Sequence, residues 1–80
     1  MKVEINLFAS LARYMRDKTG IQGSRVLEVG EGTTILDILT LMEVPLDKVK
    51  ILFLNGIHAT GDEVLKEGDR VGAFPPVAGG

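Results

Sequence analysis

Cysteine and tryptophan are both missing from this 80-residue chain, and histidine occurs once. Without cysteine there is no disulfide, no thiolate metal site and no thiol nucleophile. Aromatic residues make up only 5% of the chain, and they are not interleaved with arginine as a base-stacking platform would require. Nor does one sign of charge dominate. Nine basic and eleven acidic side chains leave a net charge of −2, with no basic stripe to meet nucleic acid. No apolar run approaches the length needed to span a bilayer, and no basic segment followed by an apolar one opens the chain. A cytoplasmic protein that binds neither nucleic acid nor membrane is the expectation.

What is present is enough for one small globular domain. Hydrophobic residues reach 45% against 25% charged, a balance too apolar for disorder. "KVEINLF" alternates, with Val3, Ile5 and Leu7 facing a core and Lys2, Glu4 and Asn6 facing water, so it predicts a strand. "ASLARYMRDKTG" predicts a short helix of two to three turns, with Ser10 as its N-cap and Gly20 as its stop. "RVLEV" predicts a second strand. In "TTILDILTLME", Ile35, Ile38, Leu39 and Met42 form one apolar stripe, Thr34 and Asp37 resemble a capping box, and Pro45 ends the helix.

"VKILFLNGIHA" is apolar on both faces, as an interior strand is, and Asn55-Gly56 predicts a type I′ turn into a brief strand at Ile57–Ala59. "GDEVLKEGD" predicts a loop with one helical turn at 64–66, and "RVGAF" a last strand. Strands and helices in this order predict an α+β roll: one sheet with its main helix laid across a single face. Residues 1–74 form the domain and residues 75–80 a C-terminal tail.

Candidate sites within the domain have ordinary explanations. His58 has no serine or cysteine beside it to activate, and reads as a solvated side chain. Asp62/Glu63 and Glu67/Asp69 lie among turn formers and do not match a calcium loop. Lys48 and Lys50 read as strand-edge protection. "EVGEG" lacks the spacing and the lysine of a phosphate loop. No constellation for catalysis, metal or cofactor emerges, so the expectation is a chain that is not an enzyme by itself.

The tail is different. "FPPVAGG" stiffens at Pro75 and Pro76, which favour an extended path, and it closes on two residues without side chains. Six residues at about 3.3–3.6 Å each reach roughly 20 Å from the body. Gly79 and Gly80 can pass through an aperture only as wide as a backbone, and the Gly80 carbonyl carbon carries no steric hindrance. A frayed terminus is the plain alternative. A carboxylate is a poor electrophile until coupling to ATP makes AMP its leaving group. A tail that delivers Gly80 into a partner's active site therefore needs no catalytic residue of its own.

Together "VEINLFASLARY", "LNG", "LKEGDRV" and the terminal "FPPVAGG" resemble the MoaD/ThiS sulfur-carrier family across essentially the whole chain, with the C-terminal motif the most specific part. The resemblance implies a ubiquitin-like β-grasp fold, one mixed sheet of about five strands with a single main helix. It implies that a ubiquitin-activating-type enzyme adenylates Gly80, using ATP that the carrier does not itself hold. A sulfur donor then converts Gly80 to a thiocarboxylate. Pro75, Pro76, Val77, Ala78 and Gly79 would thread into the partner. "FPPVAGG" and the helix-like segment are most similar to the small subunit of molybdopterin synthase, which implies that synthase's large subunit as a partner.

Carriers for thiamine, tRNA thiolation and cysteine synthesis share this ending, as do ubiquitin-like protein modifiers. A non-reactive β-grasp interaction module is a further alternative. For docking, alternation with Ala73 turns Phe74 outward, with Leu52 or Leu54 beside it and Phe8 as another candidate. The alternative is a second sheet face covered by the chain's own loops.

Overall fold

Alternation in the first strand, and in the last, decides which face of the sheet is buried. The structure is a computed structural model that describes residues 1–14 and 24–76. Strand β1 (Lys2–Leu7) sends Val3, Ile5 and Leu7 into the core, and β5 (Arg70–Phe74) sends Val71 and Ala73 to the same side. Between them in sequence lie β2 (Ser24–Glu28), helix α1 (Ile35–Leu41), β3 (Ile51–Leu54) and β4 (Ile57–Ala59). The sheet order is β2-β1-β5-β3-β4. Strand β5 runs parallel to β1 and antiparallel to β3, and the other pairings are antiparallel. The last strand is thus inserted at the centre of the sheet, the β-grasp arrangement.

Helix α1 covers one face with Ile35, Ile38 and Leu39, all fully buried against Ile5, Leu7 and Val71 in one core. The capping box forms: Asp37 N–H donates to Thr34 Oγ1 (3.2 Å), and Thr34 N–H donates to Asp37 Oδ2 (3.0 Å). At the other end Val44 N–H reaches Leu39 O (2.9 Å) and Glu43 N–H reaches Thr40 O (3.0 Å), the Schellman pattern. Glu43 occupies the left-handed position at φ 60°, where a Cβ costs energy that glycine avoids. Glu43→Gly should therefore stabilise the domain by about 0.5–1 kcal/mol, the strain relieved exceeding the added chain entropy. A thermal melt should then move up by about 2–6 °C.

Two expectations are corrected here. "ASLARY" is a 3₁₀ helix over Ala9–Tyr14 with Leu11 buried, and Ser10 lies within it rather than capping it. Leu11 N–H bonds to Phe8 O, and Ala9 takes φ 52°, so the turn begins directly off the end of β1. The remainder of that expected helix, with its Gly20 stop, falls outside the described residues. Val64 does not start a helical turn. It forms an isolated bridge with Thr34, while Leu65 N–H donates to Thr33 O and Leu65 is buried. This loop is pinned to the helix entrance by its one large buried side chain, which overrides its local preference. Also unanticipated is a short 3₁₀ turn at Leu46–Lys48, which takes Lys48 out of any strand edge.

Elsewhere the turn chemistry holds. Asn55 and Gly56 sit at φ 53° and 81°, the pair of positive angles a type I′ turn requires. Asn55 also ties this hairpin to β5. Its Nδ2 donates to Asp69 Oδ1 (3.0 Å), and its Oδ1 accepts from Arg70 N–H (2.9 Å). Thr60 N–H and Gly61 N–H both donate to the Glu63 carboxylate, with Thr60 the larger influence, and they hold its carboxyl below the ordinary glutamate value of 4.5. Asp62, Glu63 and Asp69 thus fasten their own turns, while Glu67 accepts from Lys2 N–H (3.0 Å) on β1. Among the described residues no helix is long and apolar enough to cross a membrane, and no cluster of three or more His, Asp or Glu gathers as a metal set.

Candidate functional site: the tail root and the open sheet face

Strand β5 carries the tail, and its neighbours grip it at the exit. Phe8 N–H donates to Ala73 O (3.0 Å) from the β1 side, and Lys50 N–H donates to Phe74 O (2.8 Å) from the β3 side. Beyond Phe74 the ladder cannot continue, because Pro75 and Pro76 have no N–H to offer. Pro75 is half-buried and Pro76 exposed, so the chain leaves the body within one residue of the last ladder bond. Val77, Ala78, Gly79 and Gly80 fall outside the described residues. Among the described residues the ladder ends at Phe74.

Around that root the open face of the sheet is aromatic. Phe74 faces outward, as alternation with the fully buried Ala73 predicts. Its ring stacks on Phe8, with centroids 4.3 Å apart and planes 5° from parallel. Phe53 meets Phe74 edge-on at 5.7 Å, and His58 meets Phe53 edge-on at 5.9 Å. Phe8 is 41% exposed, so this is a surface cluster and not a second core. Each aromatic contact contributes about 0.5–1.5 kcal/mol beyond area burial, which keeps the patch preformed.

Leu52 and Leu54 do not join Phe74 on this face. Leu52 pairs with Ala73 and Leu54 with Val71, so both point toward the helix side, where Leu52 is buried and Leu54 packs against the core. The register places Phe53 opposite Gly72, on the outward face with Phe74. "ILFL" is apolar at every position, so its own pattern cannot say which pair faces out. Only its register with β5 decides.

Sequence reasoning also passed over Gly72. A Cβ there would sit 3.3 Å from the Phe8 ring, 3.8 Å from that of Phe74 and 3.9 Å from Phe53 Cβ. Gly72 is the floor of the aromatic cluster, and the depression above it has a volume of about 220 Å³. The signal was in the chain, two residues before Phe74 at strand spacing. His58 is exposed, as expected, yet it borders the patch through Phe53.

In chemical terms the site pairs an exposed aromatic face with the end of the strand ladder at Phe74. Comparisons with known proteins agree on the class of molecule. A family model described as the ThiS family matches residues 5–80. No curated protein matches the chain. Among solved structures, SAMP1 from Haloferax volcanii is 25% identical over 100% of both chains, with a TM-score of 0.74. A protein assigned as molybdopterin converting factor, subunit 1, from Pyrococcus furiosus is 26% identical, covering 96% of this chain and 99% of its own, at a TM-score of 0.70. In the complex of subunits 1 and 2 of molybdopterin-converting factor from Helicobacter pylori, a chain 18% identical over 100% of both has a TM-score of 0.63, a likeness of fold.

Proposed function

Since the chain belongs to the ThiS family, we propose that it is a sulfur carrier whose Gly80 is the reactive group. The Gly80 carboxylate attacks the α-phosphorus of ATP on a ubiquitin-activating-type partner, releasing pyrophosphate and leaving an acyl-adenylate. Hydrosulfide released by a donor then attacks the acyl carbon, AMP departs, and loss of the S–H proton leaves the thiocarboxylate. The carrier contributes the acyl group and its docking face, and the partners contribute the catalysis. Activation works by exchanging a poor leaving group for a good one, so no acid, base or metal of this chain is required.

The observation that carries this reading is the root of the tail. A central strand is gripped on both flanks up to Phe74 and then released at once by two prolines. Pinning the root at the rim of an apolar face means that docking fixes where the tail starts, and about 20 Å of extended chain then defines how deep its end reaches. As acceptor we favour the large subunit of a molybdopterin synthase, a reading supported by the likeness to the Pyrococcus furiosus subunit 1. The test is intact-mass analysis after incubation with ATP, the host's activating enzyme and a sulfur donor. Gly80 should gain the mass difference of sulfur replacing oxygen, and an unchanged mass would remove the proposal's chemistry.

A second reading has its own support in the likeness to SAMP1, the small archaeal modifier protein 1 of Haloferax volcanii. The same activated carboxylate can be taken by a lysine amine, forming an isopeptide. Host proteins carrying a Gly-Gly remnant that depends on this chain would favour conjugation, and sulfur transfer without such remnants would favour the carrier.

A further inference from the structure

The turn between β3 and β4 joins two residues that can react with each other. Asn55 precedes Gly56, both are exposed, and nothing lies within 4 Å of where a side chain on Gly56 would begin. The asparagine side chain is an amide, and the next backbone nitrogen is the nucleophile placed to attack its Cγ. Glycine leaves that nitrogen unhindered. A clamp opposes the reaction. Asn55 Nδ2 donates to Asp69 Oδ1 (3.0 Å), Asn55 Oδ1 accepts from Arg70 N–H (2.9 Å), and Asn55 N–H donates to Arg70 O (2.8 Å). Asp69 is held in turn, because its Oδ2 accepts from Lys66 N–H (2.7 Å). Both polar atoms of the Asn55 amide are thus occupied by partners 14 and 15 residues away, at the start of β5.

We propose that Asn55 is a modification site, which deamidates when this clamp opens and is preserved while Asp69 and Arg70 hold it. In the reaction the Gly56 nitrogen bonds to Asn55 Cγ and the Cγ–Nδ2 bond breaks. Ammonia leaves, taking the proton that the Gly56 nitrogen gives up, and a cyclic imide spans the turn. Water then opens the ring at either carbonyl, giving aspartate or isoaspartate at position 55. Neither an enzyme nor a redox partner is required. Swinging Cγ toward Gly56 breaks both side-chain hydrogen bonds, one of them to a carboxylate, and this is the barrier the fold adds. Aspartate would set a second carboxylate where Nδ2 now meets Asp69. Isoaspartate would add a carbon to the main chain of a two-residue turn that fixes the β3–β4 register. Either product loosens the tie between the hairpin and the central strand. A chain that has once released its β5 thereby keeps a permanent chemical mark, whatever reaction Gly80 undergoes.

The test follows the full chain in mildly alkaline buffer at physiological temperature. Peptide mapping with fragmentation distinguishes asparagine, aspartate and isoaspartate at position 55. The folded wild-type chain should react at least about 100-fold more slowly than the same chain in urea, because the native state must first open locally. Asp69→Ala should react about tenfold or more faster than folded wild type, as loss of a hydrogen bond to a charged group predicts. Asp69→Asn keeps an acceptor oxygen and should restore most of the protection. Thr34→Ala removes the helix cap and none of the clamp's bonds, so it controls for stability alone. Its rate should stay within about twofold of wild type. Asn55→Asp, one of the two products, should melt several degrees below wild type. A folded wild-type chain reacting within about threefold of the unfolded one overturns the proposal. So does an Asp69→Ala rate equal to that of wild type, or one that Thr34→Ala matches. Should circular dichroism show Asp69→Ala unfolded, the folded-to-urea ratio and the Thr34→Ala rate decide. An unchanged melt for Asn55→Asp overturns the claim that aspartate loosens the hairpin.

Discussion

Replacing Gly79 and Gly80 by alanine should abolish sulfur transfer while leaving the folded domain unchanged. Among the described residues the last core member in sequence is Ala73, and the last ladder bond is accepted by Phe74 O, so the two glycines lie past every described sheet contact. Melting temperature should therefore not move. Activity should respond strongly for two separate reasons. On the proposed function, a methyl group at either position widens the segment that is to enter a backbone-sized aperture. At Gly80 it also crowds the carbon that sulfur must attack, where a misplacement of about 1 Å costs on the order of 100-fold. The measurement is the single-turnover yield of thiocarboxylate with the activating enzyme, alongside growth of the host on a sulfur-dependent pathway. Full activity of the double variant would leave the tail without a role and would favour a non-reactive interaction module.

Phe74→Ala should be the second large effect, and its signature is different. Truncation removes the ring stacked on Phe8 and the edge contact with Phe53, so the patch loses the member that joins the other two. A central aromatic anchor at an interface carries at least about 2 kcal/mol, equivalent to roughly 30-fold in affinity. Binding of both the activating enzyme and the sulfur acceptor should fall together, because both must meet the tail at its root. Stability should fall by about 1–3 kcal/mol from the two lost aromatic contacts. Rescue by Phe74→Leu should be partial, since bulk returns without the stack. On the proposed function, the alanine tail variant should lose chemistry with docking intact, and Phe74→Ala should lose docking with the reactive end intact. Measuring affinity and single-turnover yield on both variants separates the two parts of the mechanism.

How much of this was readable in advance depended on whether local sequence or pairing set the answer. Val3, Ile5 and Leu7 alternate strictly, so the inward face of β1 could be assigned from the chain alone. Thr34 and Asp37 cap a helix through their own neighbouring backbone, and Asn55-Gly56 makes its turn with its own torsions. Those are contacts of short range, and the residues involved have few other options. The chemistry proposed for Gly80 is of the same kind, because it belongs to a carboxylate on an unhindered carbon and not to a fold.

The outward neighbours of Phe74 were a different matter. "ILFL" offers no alternation, and its facing is decided by antiparallel register with β5, which sets Leu52 beside Ala73 in the core and Phe53 beside Gly72 outside. A shift of one residue would exchange those roles, and nothing within four apolar residues distinguishes the two registers. Pairing between segments about twenty residues apart supplies that choice. The turn at Val64 yielded for a related reason: burial of Leu65 against the core outweighs the weak preference of a few polar neighbours. Periodicity, the Thr34–Asp37 capping box and the paired glycines at 79 and 80 are therefore properties of the chain as written. The aromatic face, its glycine floor and the gripped root of the tail exist only once distant strands have paired, because each depends on which side of a shared sheet a side chain emerges.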